Sequence, residues 1–97
     1  MMFFISDRRR PVYTISIAAE MLECHPRTLR IYEEKGLVKP YRRNNIRLYS
    51  QQDIESIKKI CDLMDELSIN LSAVRALFKV SEKFHLSFSK MIDRMLE

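Results

Sequence analysis

The chain has very little glycine and no long apolar stretch, and each absence excludes a class of protein. A single glycine among 97 residues nearly excludes a glycine-rich loop that cradles phosphates. The longest apolar runs span only a few residues, so the sequence predicts no membrane-spanning helix. The apolar start, Met-Met-Phe-Phe-Ile, is too short for a signal peptide, and arginines follow it rather than precede it. We therefore expect a cytoplasmic protein.

Cysteine and histidine are also scarce, which argues against metal sites and catalysis. Cys24 and Cys61 lack metal-ligand spacing, so we interpret them as reduced thiols and expect no metal and no other cofactor. His25 and His85 lie far apart in the sequence, and neither has a nucleophile or ligand set beside it. We expect no catalytic residues and no enzymatic activity.

Positive charge is concentrated in the first half of the chain. Residues 1–50 carry ten Lys and Arg against five Asp and Glu, whereas residues 51–97 carry seven against eight. Residues 27–50 alone carry seven basic and two acidic side chains. A basic cluster of this kind is usually a solvated face, but it favours a polyanion partner where it coincides with the pattern of a helix that binds double-stranded DNA.

A short helix is predicted from Pro26 to Glu34, inside the basic segment. His25 occupies its N-cap position, and Pro26 fits the first turn, where a missing N–H costs nothing. Gly36 ends the helix, and Pro40 prevents it from resuming.

The two faces of this helix differ in chemistry. Leu29 and Tyr32 share one side, whereas Arg27, Arg30 and Ile31 project from the other. Arginine can bond to guanine with two hydrogen bonds or pair with phosphate. The pattern is typical of a recognition helix that enters the DNA major groove.

The flanking segments complete a winged helix-turn-helix. Residues 12–15 look extended, and Ser16 is a plausible N-cap for a helix over about residues 17–23, joined by a tight turn to the recognition helix. Asn44-Asn45 predicts a hairpin turn because asparagine tolerates positive φ. Three arginines lie around that turn, namely Arg42, Arg43 and Arg47. A basic hairpin after a recognition helix is typical of a wing that contacts phosphates or the minor groove.

Three further helices are predicted after the wing. Ser50 and Asp53 resemble a capping box for a helix that reaches about Leu67, and Asn70 caps the next one. The last segment, about residues 82–97, has large apolar residues at spacings of 4, 3 and 4, which indicates an a/d seam. We expect this seam to pair two chains; its members are Phe84, Phe88, Met91 and Met95.

The order of these elements resembles the MerR family of winged helix-turn-helix regulators. The resemblance spans about residues 12–80 and rests on Thr28-Leu-Arg-Ile-Tyr-Glu33, Gly36-Leu-Val38, Pro40 with Arg42, Arg47-Leu-Tyr49 and Asp53-Ile54. Two positions depart from the family pattern. Ile31 stands where the family often has an aromatic residue, and Asn44-Asn45-Ile46 fills a place where the wing often carries glycine.

Within that family the chain is most similar to the HspR branch of heat-shock repressors. The similar segments are Tyr13-Thr-Ile-Ser-Ile-Ala-Ala19, His25-Pro-Arg-Thr-Leu-Arg-Ile-Tyr32 and Ile69-Asn-Leu-Ser-Ala-Val74. The resemblance implies a dimeric repressor of chaperone genes that binds inverted repeats, with the DnaK chaperone as co-repressor. The residues expected to contact DNA are Arg27, Thr28, Arg30, Ile31, Arg42, Arg43, Asn44, Arg47 and Tyr49. For Tyr49, packing of the wing on the core is an equally good interpretation.

The expected fold is mostly α with a small β-hairpin wing. A winged helix-turn-helix over residues 12–80 follows a flexible arm, residues 1–11, whose arginines are an alternative source of phosphate contacts. An amphipathic dimerisation helix over residues 81–97 completes the chain. Two other functions stay open. A nitrogen-control regulator of the GlnR/TnrA type would respond to glutamine supply rather than heat, and a small excisionase-like DNA-bending protein would lack a stable dimer.

Overall fold

The computed structural model describes residues 7–97, which form five helices and three short strands. The elements are β1 (Tyr13–Thr14), α1 (Ile15–Met21), α2 (Pro26–Glu34), β2 (Tyr41–Arg43), β3 (Ile46–Tyr49), α3 (Gln51–Leu67), α4 (Leu71–Lys83) and α5 (Phe88–Met95). The chain divides into two compact units, one through Glu55 and one from Ser56 to Glu97. The predicted fold class, a mostly helical winged helix-turn-helix, is confirmed.

A three-stranded antiparallel sheet of order β1-β3-β2 supports the wing. Strands β2 and β3 form the predicted hairpin, in which Arg42 lies opposite Arg47. Asn44 and Asn45 have φ of 51° and 66°, so both turn residues adopt the left-handed conformation that suits a two-residue hairpin loop. Strand β1 adds a third strand, with Tyr13 opposite Tyr49. We define the wing as residues 41–49.

The first helix begins two residues earlier than predicted. Thr14, not Ser16, is the N-cap, and its side chain accepts a hydrogen bond from the N–H of Ile17. The pairing of β1 with β3 keeps the chain extended through Thr14, so the helix starts as soon as that pairing ends. Ala18 and Ala19 are the buried residues of α1. Ile17 of the same helix is exposed.

Helix α2 has the ends that its sequence predicts. The Nδ1 atom of His25 accepts a hydrogen bond from the Arg27 N–H at 3.0 Å, and Pro26 occupies the first turn. Gly36 follows the C-cap with φ of 76°. Its N–H donates to the carbonyl of Glu33 and the Leu37 N–H donates to that of Tyr32, a Schellman closure that positive φ permits.

Residues 7–11 of the predicted flexible arm are attached to the start of α3. The Arg8 carbonyl accepts a hydrogen bond of 2.8 Å from the Gln52 N–H, one of the donors that a helix start leaves without an intrahelical partner. The Arg8 guanidinium pairs with Glu55. This end of the arm is therefore held by the domain. The prediction of flexibility for residues 1–6 lies outside the described residues.

Helix α3 begins at the predicted capping box. Ser50 Oγ accepts from the Asp53 N–H, and Asp53 Oδ2 accepts from the Ser50 N–H, both at 3.0 Å. The helix ends at Leu67, as predicted. Asn70 caps α4 through a 2.9 Å hydrogen bond from the Ala73 N–H, also as predicted. No helix within residues 7–97 is both long and apolar enough to cross a membrane.

The prediction that one continuous helix over residues 82–97 carries the apolar seam is wrong. Phe84 is the C-cap of α4, and His85 adopts φ of 55°, which ends that helix. Ser87 then caps α5. The break places Phe84 outside the helix that carries Phe88, Met91 and Met95. Helix α4 ends at Lys83, past residue 80, where we expected the winged helix-turn-helix to end, and that domain boundary stays a prediction.

Within the second unit, part of the predicted seam is already packed. The Phe88 ring meets the Phe78 ring edge to face at 5.1 Å between centroids. Ile92 is the fully buried residue of α5. Lys59 joins α5 to α3 by bonding to Ser89 and Asp93. Helix α5 thus turns one apolar side toward its own unit.

Candidate nucleic-acid interface

The outward face of α2 carries basic side chains that the fold does not use. Leu29 and Tyr32 are buried, whereas Arg27, Arg30 and Ile31 are exposed, so the predicted assignment of the two faces is confirmed. Within residues 7–97, neither Arg27 nor Arg30 forms an ion pair. Both guanidinium groups therefore retain all five donors for an external acceptor.

Thr28 lies at the edge of this face. Its side chain is half-buried, and its N–H donates to the His25 carbonyl at 2.9 Å in the first turn of α2. Its position beside Arg27 at the start of the helix is where recognition helices place residues that meet base edges. A contact of Thr28 with DNA stays a prediction.

The tip of the wing is exposed and basic. Arg43 and Asn44 are both exposed, and among the described residues Arg43 forms no ion pair. The two asparagines fix the turn by their backbone conformation. Arg43 is therefore the wing arginine without an ion pair among the described residues, and its contact with phosphate stays a prediction.

The other two wing arginines are bound to Glu33 on α2. Arg47 Nε donates to Glu33 Oε1 at 2.5 Å, and Arg42 Nη2 donates to Glu33 Oε2 at 3.0 Å. The Glu33 side chain is 22% exposed. We call this three-residue arrangement the Glu33 bridge. Sequence reasoning missed it, although Glu33 is one of only two acids among residues 27–50.

The bridge stabilises the charged forms of Glu33 and Arg47. Partial burial would raise the pKa of Glu33, but the hydrogen bonds from Arg47 and Arg42 outweigh it and lower that pKa below the ordinary value. The bond to Glu33 raises the pKa of Arg47. The Glu33 carboxylate and the Arg47 guanidinium are therefore ionised at neutral pH.

Tyr49 cannot make the DNA contact that was expected of it. Its side chain is 0% exposed because β3 turns it into the core of the first unit. Its hydroxyl has no hydrogen-bond partner within the described chain, and burial raises its pKa. The alternative interpretation, that Tyr49 packs the wing on the core, is the correct one.

A cavity of about 620 Å³ lies beside β2 in the first unit. Its cations are Arg9, Lys39 and Arg42, and Pro40 and Tyr41 supply apolar surface. The sequence offered Arg9 as an auxiliary phosphate contact, and the fold brings it to the same cavity as a wing arginine. The three cationic side chains that line this cavity add positive charge beside the wing.

Comparison with known proteins gives this geometry a family. The model of the MerR helix-turn-helix family of regulatory proteins matches residues 13–80. A protein described as heat shock protein HspR of Streptomyces coelicolor is 38% identical over 74 residues, which cover 75% of this chain and 49% of that protein. The regulator GlnR of Bacillus anthracis is 33% identical over 78 residues, which cover 78% and 60%.

A third relative, the ZntR homolog of Haemophilus influenzae, is 31% identical over 85 residues, which cover 86% of this chain and 62% of that protein. All three are longer than the matched region, and the chain spans between about half and three-fifths of their lengths. The family match nevertheless covers both the helix-turn-helix and the wing. The chain belongs to the MerR helix-turn-helix family of regulatory proteins.

Proposed function

We propose that this chain is a sequence-specific DNA-binding regulator of transcription, without enzymatic activity, that acts in the cytoplasm at the nucleoid. The observation that carries the proposal is the exposed face of α2, where Arg27 and Arg30 have no ion-pair partner within residues 7–97. A helix in the major groove with two such arginines can read guanine through paired hydrogen bonds. Each such contact discriminates by about 1–3 kcal/mol against the wrong base.

The wing would hold the DNA backbone beside that groove. Arg43 and Asn44 lie exposed at its tip, so they are the residues that would meet phosphate first. Phosphate contacts fix register without reading sequence. Ile31, exposed on the same face as the two arginines, offers an apolar contact to a thymine methyl group.

A second copy of the chain would cover the apolar surface that remains near α5. Phe84 is 67% exposed and Leu86 is 52% exposed. Leu86, Met91 and Met95 also line a groove of about 390 Å³. Large exposed apolar patches mark interaction sites, and a second copy supplies the same patch in return. The predicted contribution of Phe88 would be indirect, because its ring packs on Phe78.

A two-fold dimer would present two α2 helices to DNA and so require an inverted repeat. The sequence resemblance to the HspR branch extends this proposal to repression of chaperone genes, with the DnaK chaperone as co-repressor. The likeness to a protein described as heat shock protein HspR supports that branch. The sequence resemblance also leaves a nitrogen-control regulator as a second candidate, and the likeness to the regulator GlnR supports it. An excisionase-like DNA-bending role would need neither a dimer nor a symmetric site.

Selection of bound fragments from the source genome tests the proposal. We expect fragments that share one inverted repeat and lie upstream of chaperone genes. Fragments upstream of nitrogen-assimilation genes would favour the second candidate. Recovery of unrelated fragments with no shared sequence would contradict sequence-specific binding.

A further inference from the structure

Glu33 connects the recognition helix directly to the wing. It lies in the last turn of α2. Its two carboxylate oxygens accept hydrogen bonds from two different arginines, Oε2 from Arg42 on β2 and Oε1 from Arg47 on β3. Arg42 and Arg47 are directly opposite each other in the β2–β3 ladder. Like charges in that position repel and destabilise a hairpin. The Glu33 carboxylate compensates that repulsion and also holds the wing against α2.

The bridge changes what the two arginines can offer to DNA. An arginine gains affinity from phosphate by neutralising it and releasing condensed counterions. Arg42 and Arg47 already face a carboxylate at 3.0 and 2.5 Å, so a phosphate contact would have to replace an existing ion pair. Arg43, between them in the sequence and with no ion pair among the described residues, has no such competitor.

We propose that Glu33 controls the electrostatic contribution of the wing to DNA binding: it withholds Arg42 and Arg47 from phosphate and fixes the wing relative to α2. The inference rests on the proposed DNA-binding function and names the residue that regulates it. Attraction to phosphate strengthens binding to every sequence alike. By limiting that attraction, Glu33 lowers the salt-dependent part of the affinity for every sequence and leaves discrimination between sequences to α2.

The neighbouring glutamate provides a matched control. Glu34 is exposed, and within residues 7–97 it forms no ion pair. Glu33→Gln and Glu34→Gln therefore change the net charge equally, but only the first alters the Glu33 bridge. A glutamine at position 33 keeps a neutral acceptor while it loses the charge that retains two guanidinium groups.

The measurement is the affinity for a random-sequence duplex at several salt concentrations. A plot of log K against log[salt] has a negative slope, and each arginine that is released onto phosphate makes that slope steeper by about 0.9. Between 50 and 200 mM salt, Glu33→Gln should thus lose affinity by an extra factor of about 3.5 for one freed arginine and about 12 for both. Glu34→Gln should keep the wild-type slope, and Glu33→Asp, which retains the charge, should remain closer to wild type than Glu33→Gln.

A second comparison does not depend on a Glu33 variant that folds. Arg43→Gln should make the dependence of log K on log[salt] for random DNA less steep by about 0.9. Arg42→Gln and Arg47→Gln should each change that steepness by less than half as much. Equal slopes for Glu33→Gln and Glu34→Gln, or equal losses for all three arginine variants, would overturn the inference. Absence of any salt-dependent DNA binding by the wild-type chain would instead overturn the proposed function itself.

Discussion

Replacement of Tyr49 by phenylalanine removes one hydroxyl group from the core of the first unit. That side chain is 0% exposed, and its hydroxyl finds no hydrogen-bond partner within residues 7–97. A buried polar group without a partner costs roughly 1–3 kcal/mol, and phenylalanine fills the same space without that group. We expect Tyr49→Phe to stabilise the protein by about 1 kcal/mol, the lower end of that range. This corresponds to a rise in Tm of roughly 4–8 °C for a domain of this size.

Thermal unfolding followed by circular dichroism measures this effect. Tyr41→Phe is the control, because Tyr41 is 56% exposed on β2. The free energy of unfolding of Tyr41→Phe should stay within about 0.5 kcal/mol of wild type. The affinity of Tyr49→Phe for DNA should be unchanged. A fall in Tm would show that the hydroxyl donates a stabilising bond, and a fall in affinity at unchanged fold would restore the predicted DNA contact.

Two further predictions concern assembly and acid stability. Leu86→Asp with Met95→Asp should give monomers that remain folded and bind an inverted repeat weakly; sedimentation of the wild type as a monomer at tens of micromolar would contradict the dimer. The lowered pKa of Glu33 means that its bridge contributes stability that is fully present above its ordinary value of 4.5 and is lost as the pH falls through the lowered folded value. The Tm advantage of wild type over Glu33→Gln should therefore shrink on acidification below that pH, and an advantage that grows would refute the assignment.

The parts of the fold that the sequence predicted well have local causes. The start of α2 depends on His25 and Pro26, which are adjacent, and the hairpin turn depends on Asn44-Asn45. Both signals act within a few residues, so no knowledge of the tertiary structure is needed to interpret them. The same holds for the capping box between Ser50 and Asp53.

The errors arose where distant residues or competing local signals decide. Pairing of Tyr13 with Tyr49 set the N-cap of α1 at Thr14, and a ladder between residues so far apart in sequence is invisible to periodicity. The Glu33 bridge joins α2 to two later strands in the same way. Near residue 85, the apolar residues keep their 4-3-4 spacing although helix α4 ends there. The positive φ of His85 breaks the helix, and the spacing of apolar residues alone does not reveal that break.

The central claim, that α2 reads a DNA sequence, is tested most directly by a ratio of affinities. The assay measures binding of wild type and Arg30→Ala to the selected inverted repeat and to a random duplex at one salt concentration. Wild type should prefer the repeat strongly. Arg30→Ala should lose about 1–3 kcal/mol of that preference per half-site and relax the choice at one base position. If Arg30→Ala weakens binding to both duplexes equally and keeps full discrimination, then this residue only positions the protein, and a wild-type ratio near one would contradict sequence reading by α2 altogether.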